Sequence, residues 1–150
     1  MTRLRRRVLC GVVAVVSLPG GIVRAQSFVG TWVRQDVPMT MTVEVCCGSG
    51  RRLTYRVPMS GRETVMVVET ALDGKDAPVL LGGQPSGETM AIRQIDSRHA
   101  TAVLKMNGQT FGTAKGTLSA DGKTLAIEDD YTSAAGGQPV GKQTETWIRK

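Results

Sequence analysis

Histidine, cysteine and aromatic residues are all scarce in this chain. Its 150 residues include one histidine, three cysteines and two each of Phe, Trp and Tyr. The histidine, His99, follows Asp96 and Ser97 in a turn-like sequence, but a catalytic triad needs its members to converge in space. The sequence also lacks an EF-hand spacing and a Gly-rich phosphate loop before a helix. We therefore expect a protein that is not an enzyme and has no cofactor.

The few cysteines also argue against a disulfide framework. Cys10 lies in the N-terminal segment, and Cys46 and Cys47 are adjacent. Neighbouring residues of an extended strand point to opposite faces, so an ordinary disulfide between them has poor geometry. A soft-metal site that adds Met39 and Met41, for copper(I) for instance, and a strained vicinal disulfide are the alternatives. We expect no metal, because only a bulge or the turn at Gly48 could bring both thiolates to one ion.

Only one long apolar run is present, and it stands at the N-terminus. Four arginines between positions 3 and 7 precede the apolar residues 8–23. Val23 and Ala25 then occupy the −3 and −1 positions of a cleavage site before Gln26. We interpret residues 1–25 as a signal peptide, with a permanent membrane anchor as the alternative. The mature chain is expected in the periplasm or outside the cell, without stable membrane insertion.

A strong excess of one charge is missing once this segment is set aside. Five of the 19 Lys and Arg residues lie in residues 1–25, which leaves 14 basic against 13 acidic residues. The two signs are mixed along residues 26–150, whereas nucleic-acid binding needs a clustered basic face. We therefore expect no nucleic-acid partner. The length of residues 26–150 is that of one domain.

Turn sequences recur at nearly even spacing through the mature chain, and β-branched, Thr-rich segments of strand length lie between them. No window has a convincing helical period. The turns are expected at Gly48-Ser49-Gly50, Ser60-Gly61, Asp73-Gly74-Lys75, Ser86-Gly87, Ser97-Arg98, Asn107-Gly108, Asp121-Gly122-Lys123 and Ala135-Gly136-Gly137. This pattern predicts an all-β, antiparallel up-and-down barrel of about nine strands, with a β-sandwich as the rival.

Apolar residues alternate within several of these segments, which predicts the face that each strand turns inward. Met41, Val43, Val45 and Cys47 share one face, and Leu53, Tyr55, Val57 and Met59 are expected to face inward opposite them. Ordinary core filling is the alternative to a ligand pocket for such residues. The side chains expected to line the interior and contact a ligand are Met41, Val43, Tyr55, Val57, Met90, Ile92, Leu104 and Met106.

The two ends of the mature chain carry a resemblance to a known family. Phe28-Val29-Gly30-Thr31-Trp32 resembles the G-x-W motif of lipocalins and fatty-acid-binding proteins. The order and spacing of residues 72–79, 95–96 and 118–125 are similar to those of small exported lipocalin-like bacterial proteins. The resemblance implies a barrel whose interior holds one small, mostly apolar ligand. It also implies that Trp32, preceded by Gly30, plugs the closed end, and that Arg149 of the last strand packs over Trp32.

Two functions remain open at this point. The first is that of an exported carrier or sensor that binds a small apolar molecule in the barrel interior. The second is that of a protein-interaction module, resembling inhibitor-like barrels, which contacts a protein partner through its rim loops and has a packed core. Only residues 35–38 separate the first two expected strands, so the helical lid of fatty-acid-binding proteins is not expected.

The predicted cleavage can be checked directly on secreted protein. We expect N-terminal sequencing or intact-mass measurement to give a chain that begins at Gln26, with or without cyclisation to pyroglutamate. Recovery of the intact Met1 terminus in membrane fractions would show that the segment is a permanent anchor.

Overall fold

The computed structural model describes residues 27–150, and the predicted signal peptide, residues 1–25, lies outside the described residues. Within residues 27–150, no helix has the length and apolar character needed to cross a membrane. A 3-10 turn, Ala134–Gly136, follows the ninth strand. The strands are β1 (Gly30–Arg34), β2 (Thr40–Cys46), β3 (Gly50–Met59), β4 (Arg62–Thr70), β5 (Asp73–Leu81), β6 (Gln84–Gln94), β7 (His99–Met106), β8 (Gln109–Leu118), β9 (Thr124–Tyr131) and β10 (Gly141–Arg149).

Each strand pairs antiparallel with the next one in the chain, and β1 pairs with β10, so the sheet closes on itself. The closing ladder joins Trp32 to Arg149 and Arg34 to Trp147. The predicted all-β, antiparallel up-and-down barrel is therefore confirmed, with ten strands rather than about nine. The rival sandwich is excluded because there is one continuous closed sheet.

Two of the predicted turns are wrong. Asp73-Gly74-Lys75 and Ser86-Gly87 lie inside β5 and β6, at the two places where the register of the β5–β6 ladder shifts. The turn between these strands is instead formed by Gly82-Gly83, both with positive φ. Glycine accommodates the left-handed backbone of bulges as well as that of hairpin turns, so the same sequence signal serves both. The outcome is two long, bulged strands.

Buried side chains from the inner face form three clusters around the barrel wall. The first cluster joins residues of β1, β2, β8, β9 and β10. The second joins residues of β4, β5 and β6, and the third joins residues of β7, β8 and β9. Their buried members are Trp32, Met41, Val43, Leu118, Leu125 and Trp147 in the first cluster, Val68, Ala77, Val79 and Ile92 in the second, and Leu104, Phe111 and Tyr131 in the third.

One end of the barrel is sealed by Trp32 and Arg149. The Trp32 side chain is fully buried, and the Arg149 guanidinium carbon lies 4.2 Å from the centre of its indole ring. Arg149 also donates hydrogen bonds to the carbonyls of Ser27 and Val29, both at 2.6 Å, and of Gly122 at 2.7 Å. The stack and the three carbonyls together tie the chain's first described residues, its last strand and the β8–β9 turn into one unit.

Gly30 stands where this packing leaves no room for a side chain. Its φ is +142°, and a Cβ built there would lie 2.5 Å from the Arg149 Nη1 atom. The Trp32 indole N–H donates to the Phe28 carbonyl at 2.9 Å, so the buried ring keeps its polar group satisfied. The Gly and Trp of the G-x-W sequence thus act together with Arg149 as one structural unit, which we call the Trp32 end.

Removing the Trp32 ring is expected to destabilise the barrel strongly. Trp32→Ala should lower the free energy of unfolding by about 3–5 kcal/mol, because it empties a fully buried site and leaves Arg149 without its stacking partner. Urea unfolding followed by circular dichroism measures this change. Val45→Ala, at a position that is 62% exposed, serves as the control and should cost less than about 1 kcal/mol. An unchanged unfolding midpoint in Trp32→Ala would contradict the sealing role.

Candidate functional site

The barrel encloses a cavity of about 290 Å³. Nearly every strand contributes to its wall, because alternate side chains point inward. Apolar groups dominate the lining, and the volume is close to the lower end of the range for small-molecule pockets. The apolar side chains that line it come from Phe28, Met39, Met41, Val43, Leu53, Tyr55, Met66, Leu72, Met90, Ile92, Ala100, Ala102, Leu104, Phe111, Ala114, Leu125, Ile127, Tyr131 and Trp147.

Six of the eight interior residues named from the sequence border this cavity, namely Met41, Val43, Tyr55, Met90, Ile92 and Leu104. The remaining two do not reach it. Val57 and Met106 are half-buried near the ends of β3 and β7, and Met106 packs against the cluster of Leu104, Phe111 and Tyr131. Val45 and Met59, which the alternation places on these same faces, are 62% and 58% exposed where β2 and β3 end and do not line the cavity.

All six aromatic residues of the chain face the inside of the barrel. Trp32 seals one end, and the other five line the cavity. Tyr55 meets Trp147 edge to face, with ring centres 6.3 Å apart, and Phe111 stacks on Tyr131 at the same separation. Such pairs hold their rings in fixed relative orientations. The scarce aromatic residues are therefore concentrated around one cavity.

A group of charged side chains interrupts the apolar lining. Arg34 on β1 and Glu145 on β10 form an ion pair with 2.6 Å between Nη1 and Oε1. The other Glu145 oxygen accepts the Trp147 indole N–H at 2.9 Å, and Arg34 also binds Asp36 in the β1–β2 loop. Both charged partners of the pair are therefore held by several contacts.

Asp129 on β9 belongs to the same group but lacks such contacts. It is only 6% exposed, and its Oδ2 atom has no hydrogen-bond partner within the described part of the chain. Burial, with a further contribution from the nearby negative charge of Glu145, raises the pKa of Asp129 to about 6, although Arg34 opposes this. Burial also raises the pKa of Glu88, which lines the cavity from β6. The cavity thus contains carboxyl groups that the protein itself leaves without a full set of partners.

The sequence interpretation missed these polar residues. Glu128-Asp129-Asp130 looks like a solvated strand end, yet the β8–β9 ladder continues to Tyr131. Strand alternation was the signal that could have found them. Asp129 lies on the same face as Ile127 and Tyr131, just as Glu145 lies on the same face as Trp147.

The cavity reaches towards the end of the barrel opposite Trp32. There the β9–β10 loop, residues 132–140, contributes Gly136 and Gln138 to the lining. A Cβ at Gly136 would overlap the Phe111 ring, so the 3-10 turn packs directly on this aromatic side chain. Four exposed apolar residues lie around the same end, at Val37, Met59, Leu81 and Val140. We call this end the rim.

The adjacent cysteines lie outside the cavity, at the β2–β3 turn. Cys47 has φ +52° and leaves the strand, so its Sγ atom lies 2.7 Å from that of Cys46 rather than on the opposite face. The expectation that the two thiols point apart is therefore wrong. Glu69 joins them within 4.8 Å, and it already pairs with Arg52 at 2.6 Å. Hydrogen bonding to Cys46, with smaller contributions from burial and Glu69, raises the pKa of the Cys47 thiol to about 11.

His99 stands at the β6–β7 turn on the outside of the barrel. Its Nδ1 atom lies 2.8 Å from a carboxylate oxygen of Asp96, and about half of each side chain is exposed to solvent. This places the histidine away from the cavity, at an exposed turn as the sequence suggested.

Comparison with known proteins adds no assignment: no protein-family model matches the chain, and a search of curated proteins returned no match.

The buried carboxyl of Asp129 should make the stability of the barrel depend on pH. Its pKa in the folded state, about 6, lies above that of an unfolded aspartate, so the folded state gains stability as the pH falls from 6 towards 4. At neutral pH this stability is lost, because the carboxylate is then charged. Asp129→Asn should therefore be more stable than the wild type by about 1–3 kcal/mol near pH 7.5, and equally stable near pH 4.

Urea unfolding at the two pH values measures this difference, and Asp130→Asn, on the exposed side of the same strand, is the matched control. A pH-independent effect of Asp129→Asn would contradict the prediction.

Proposed function

We propose that the chain is an exported, non-enzymatic binding protein that holds one small, mainly apolar molecule inside the barrel. The observation that carries this proposal is the cavity of about 290 Å³ with a mostly apolar lining. A packed interior would have favoured the interaction module, whereas an enclosed volume of this size suits a small ligand. Carrier and sensor both fit this description.

The resemblance to lipocalin-like proteins supports the same proposal. The arrangement of Gly30, Trp32 and Arg149 fits the roles that the resemblance implies, and the up-and-down closure of the sheet is compatible with a barrel of this class. We therefore propose a lipocalin-like binding protein, in which the Trp32 end is structural and the ligand occupies the space above it.

Export is part of the proposal and is supported by the sequence of residues 1–25. The arginines, the apolar run and the small residues before Gln26 have the order of a cleavable signal. The proposed location is the periplasm or the extracellular medium.

One observation favours the second function, contact with a protein partner. Four apolar residues are exposed around the rim, with Met59 and Val140 at 58% and 63%. Apolar groups clustered at one end of a molecule are typical of contact surfaces. The carrier proposal has priority because the barrel interior holds a cavity with a mostly apolar lining, to which none of the four rim residues contributes.

The experiment that tests the carrier proposal is titration with the neutral, environment-sensitive dye 1-N-phenylnaphthylamine. We expect saturable binding with a Kd in the micromolar range or weaker, about −8 kcal/mol or less favourable. Leu104→Trp should abolish it, because Leu104 lines the cavity and a larger ring there fills the space. Ile148→Trp, on the exposed face of β10, is the matched control and should leave dye binding unchanged.

Absence of saturable binding by the folded wild type would contradict the carrier proposal. Binding that survives Leu104→Trp but is lost in Val140→Asp would place the dye on the rim and favour the interaction module. Circular dichroism of every variant establishes that the barrel is folded.

A further inference from the structure

We infer that the ligand of this cavity carries a protonated amine, and that the Asp129 carboxylate receives the amine while the surrounding rings contact its apolar body. This inference rests on the proposed function and names the chemical class of its ligand. The observation that supports it most directly concerns the Oδ2 atom of Asp129. This atom is buried without a hydrogen-bond partner within the described residues, and Asp129, which is only 6% exposed, lines the cavity.

An unpartnered carboxylate oxygen in an apolar cavity is costly unless a donor reaches it. The two arginines that line the cavity are already engaged. Arg34 binds Glu145 and Asp36, and the Arg51 Nη1 atom donates to the carbonyls of Ser49 and Gly50 at 2.8 Å. Neither arginine therefore supplies the donor that Asp129 lacks, and its Oδ2 atom is available to a donor on the occupant of the cavity.

The balance of charge along the lining indicates a cation rather than a neutral donor. Three carboxyl groups line the cavity, those of Glu88, Asp129 and Glu145, against two guanidinium groups. The Glu145 carboxylate is paired with Arg34, and Arg51 is bound to backbone carbonyls at the β2–β3 turn. The part of the cavity around Asp129 and Glu88 is therefore left with excess negative charge.

The aromatic rings near Asp129 suit the same class of ligand. Tyr131 lies two residues along β9 on the same face and stacks on Phe111, while Trp147 meets Tyr55 from β10. Electron-rich ring faces attract cations and provide flat apolar surface. A molecule with a ring system and one primary or substituted amine satisfies both the carboxylate and the rings.

Three two-ring probes of similar size test the inference by isothermal titration calorimetry near neutral pH. They are 1-naphthylmethylamine, which is protonated, neutral 1-naphthalenemethanol and anionic 1-naphthoate. We expect the amine to bind about tenfold or more tightly than the alcohol, and the anion to bind more weakly than either. Asp129→Asn should reduce the affinity for the amine to that for the alcohol, while the affinity for the alcohol stays unchanged.

The matched control is Asp130→Asn, which removes a charge from the exposed face of the same strand and should leave all three affinities unchanged. Glu88→Gln is a second variant that removes a charge from the cavity side, and it should lower the affinity for the amine but not for the other two probes. Comparable binding of all three probes, or an amine preference that survives Asp129→Asn, would overturn the inference while the carrier function stands. Failure of every probe to bind would instead count against the proposed function itself.

The pH dependence of binding provides an independent arm. Amine binding by the wild type should weaken as the pH falls below about 6 and Asp129 takes up a proton, whereas alcohol binding should stay constant. Amine binding that is independent of pH between 5 and 8 would contradict the role of Asp129. The charged groups that act on Asp129 are Arg34 on β1 and Glu145 on β10, and Asp129 in turn acts on the hydroxyls of Tyr55 on β3 and Tyr131 on its own strand. Glu88 lines the same cavity from β6.

Discussion

The contact between the Arg149 guanidinium and the Trp32 indole is the interaction on which the rest of the structure depends. β1 has only five residues, and the ladder that joins it to β10 has three pairs. Arg149 reinforces this short seam by binding carbonyls on both sides of it, at Val29 and Gly122. Because a closed sheet has no edge strand, this one contact also removes the site at which another chain could add to the sheet.

The sealed end allows the interior above it to remain unfilled. Five aromatic rings and several methionines surround a cavity instead of closing over it. The Asp129 carboxyl in this interior costs stability at neutral pH, since its charge is buried beside that of Glu145. A residue that destabilises the empty barrel and would be satisfied by a bound cation is typical of a binding site, where stability is reduced in favour of affinity.

Strand alternation and turn composition were sufficient to predict the barrel and to name six residues that border the cavity, a minority of its wall. They failed where one local signal has two structural outcomes. Gly74 and Gly87 form bulges within strands rather than turns, because the register between two strands is decided by their pairing. Consecutive acids on a strand alternate faces, which suggests a solvated strand end at Glu128-Asp129-Asp130, but the β8–β9 ladder continues to Tyr131 and buries Asp129 on the face of Ile127. Cys47 escaped the alternation because it adopts a left-handed backbone at the end of β2.

The order of the strands has a consequence for how the chain folds. Every ladder except one joins strands that are neighbours in sequence, so within residues 27–150 nine of the ten ladders can form as local hairpins. Closing the seam between β1 and β10 brings together the first and last strands of the sheet and carries most of the loop-closure entropy. We expect this seam to form after the local hairpins, and contacts that form late chiefly slow unfolding, so substitutions at the Trp32 end should mainly raise the unfolding rate.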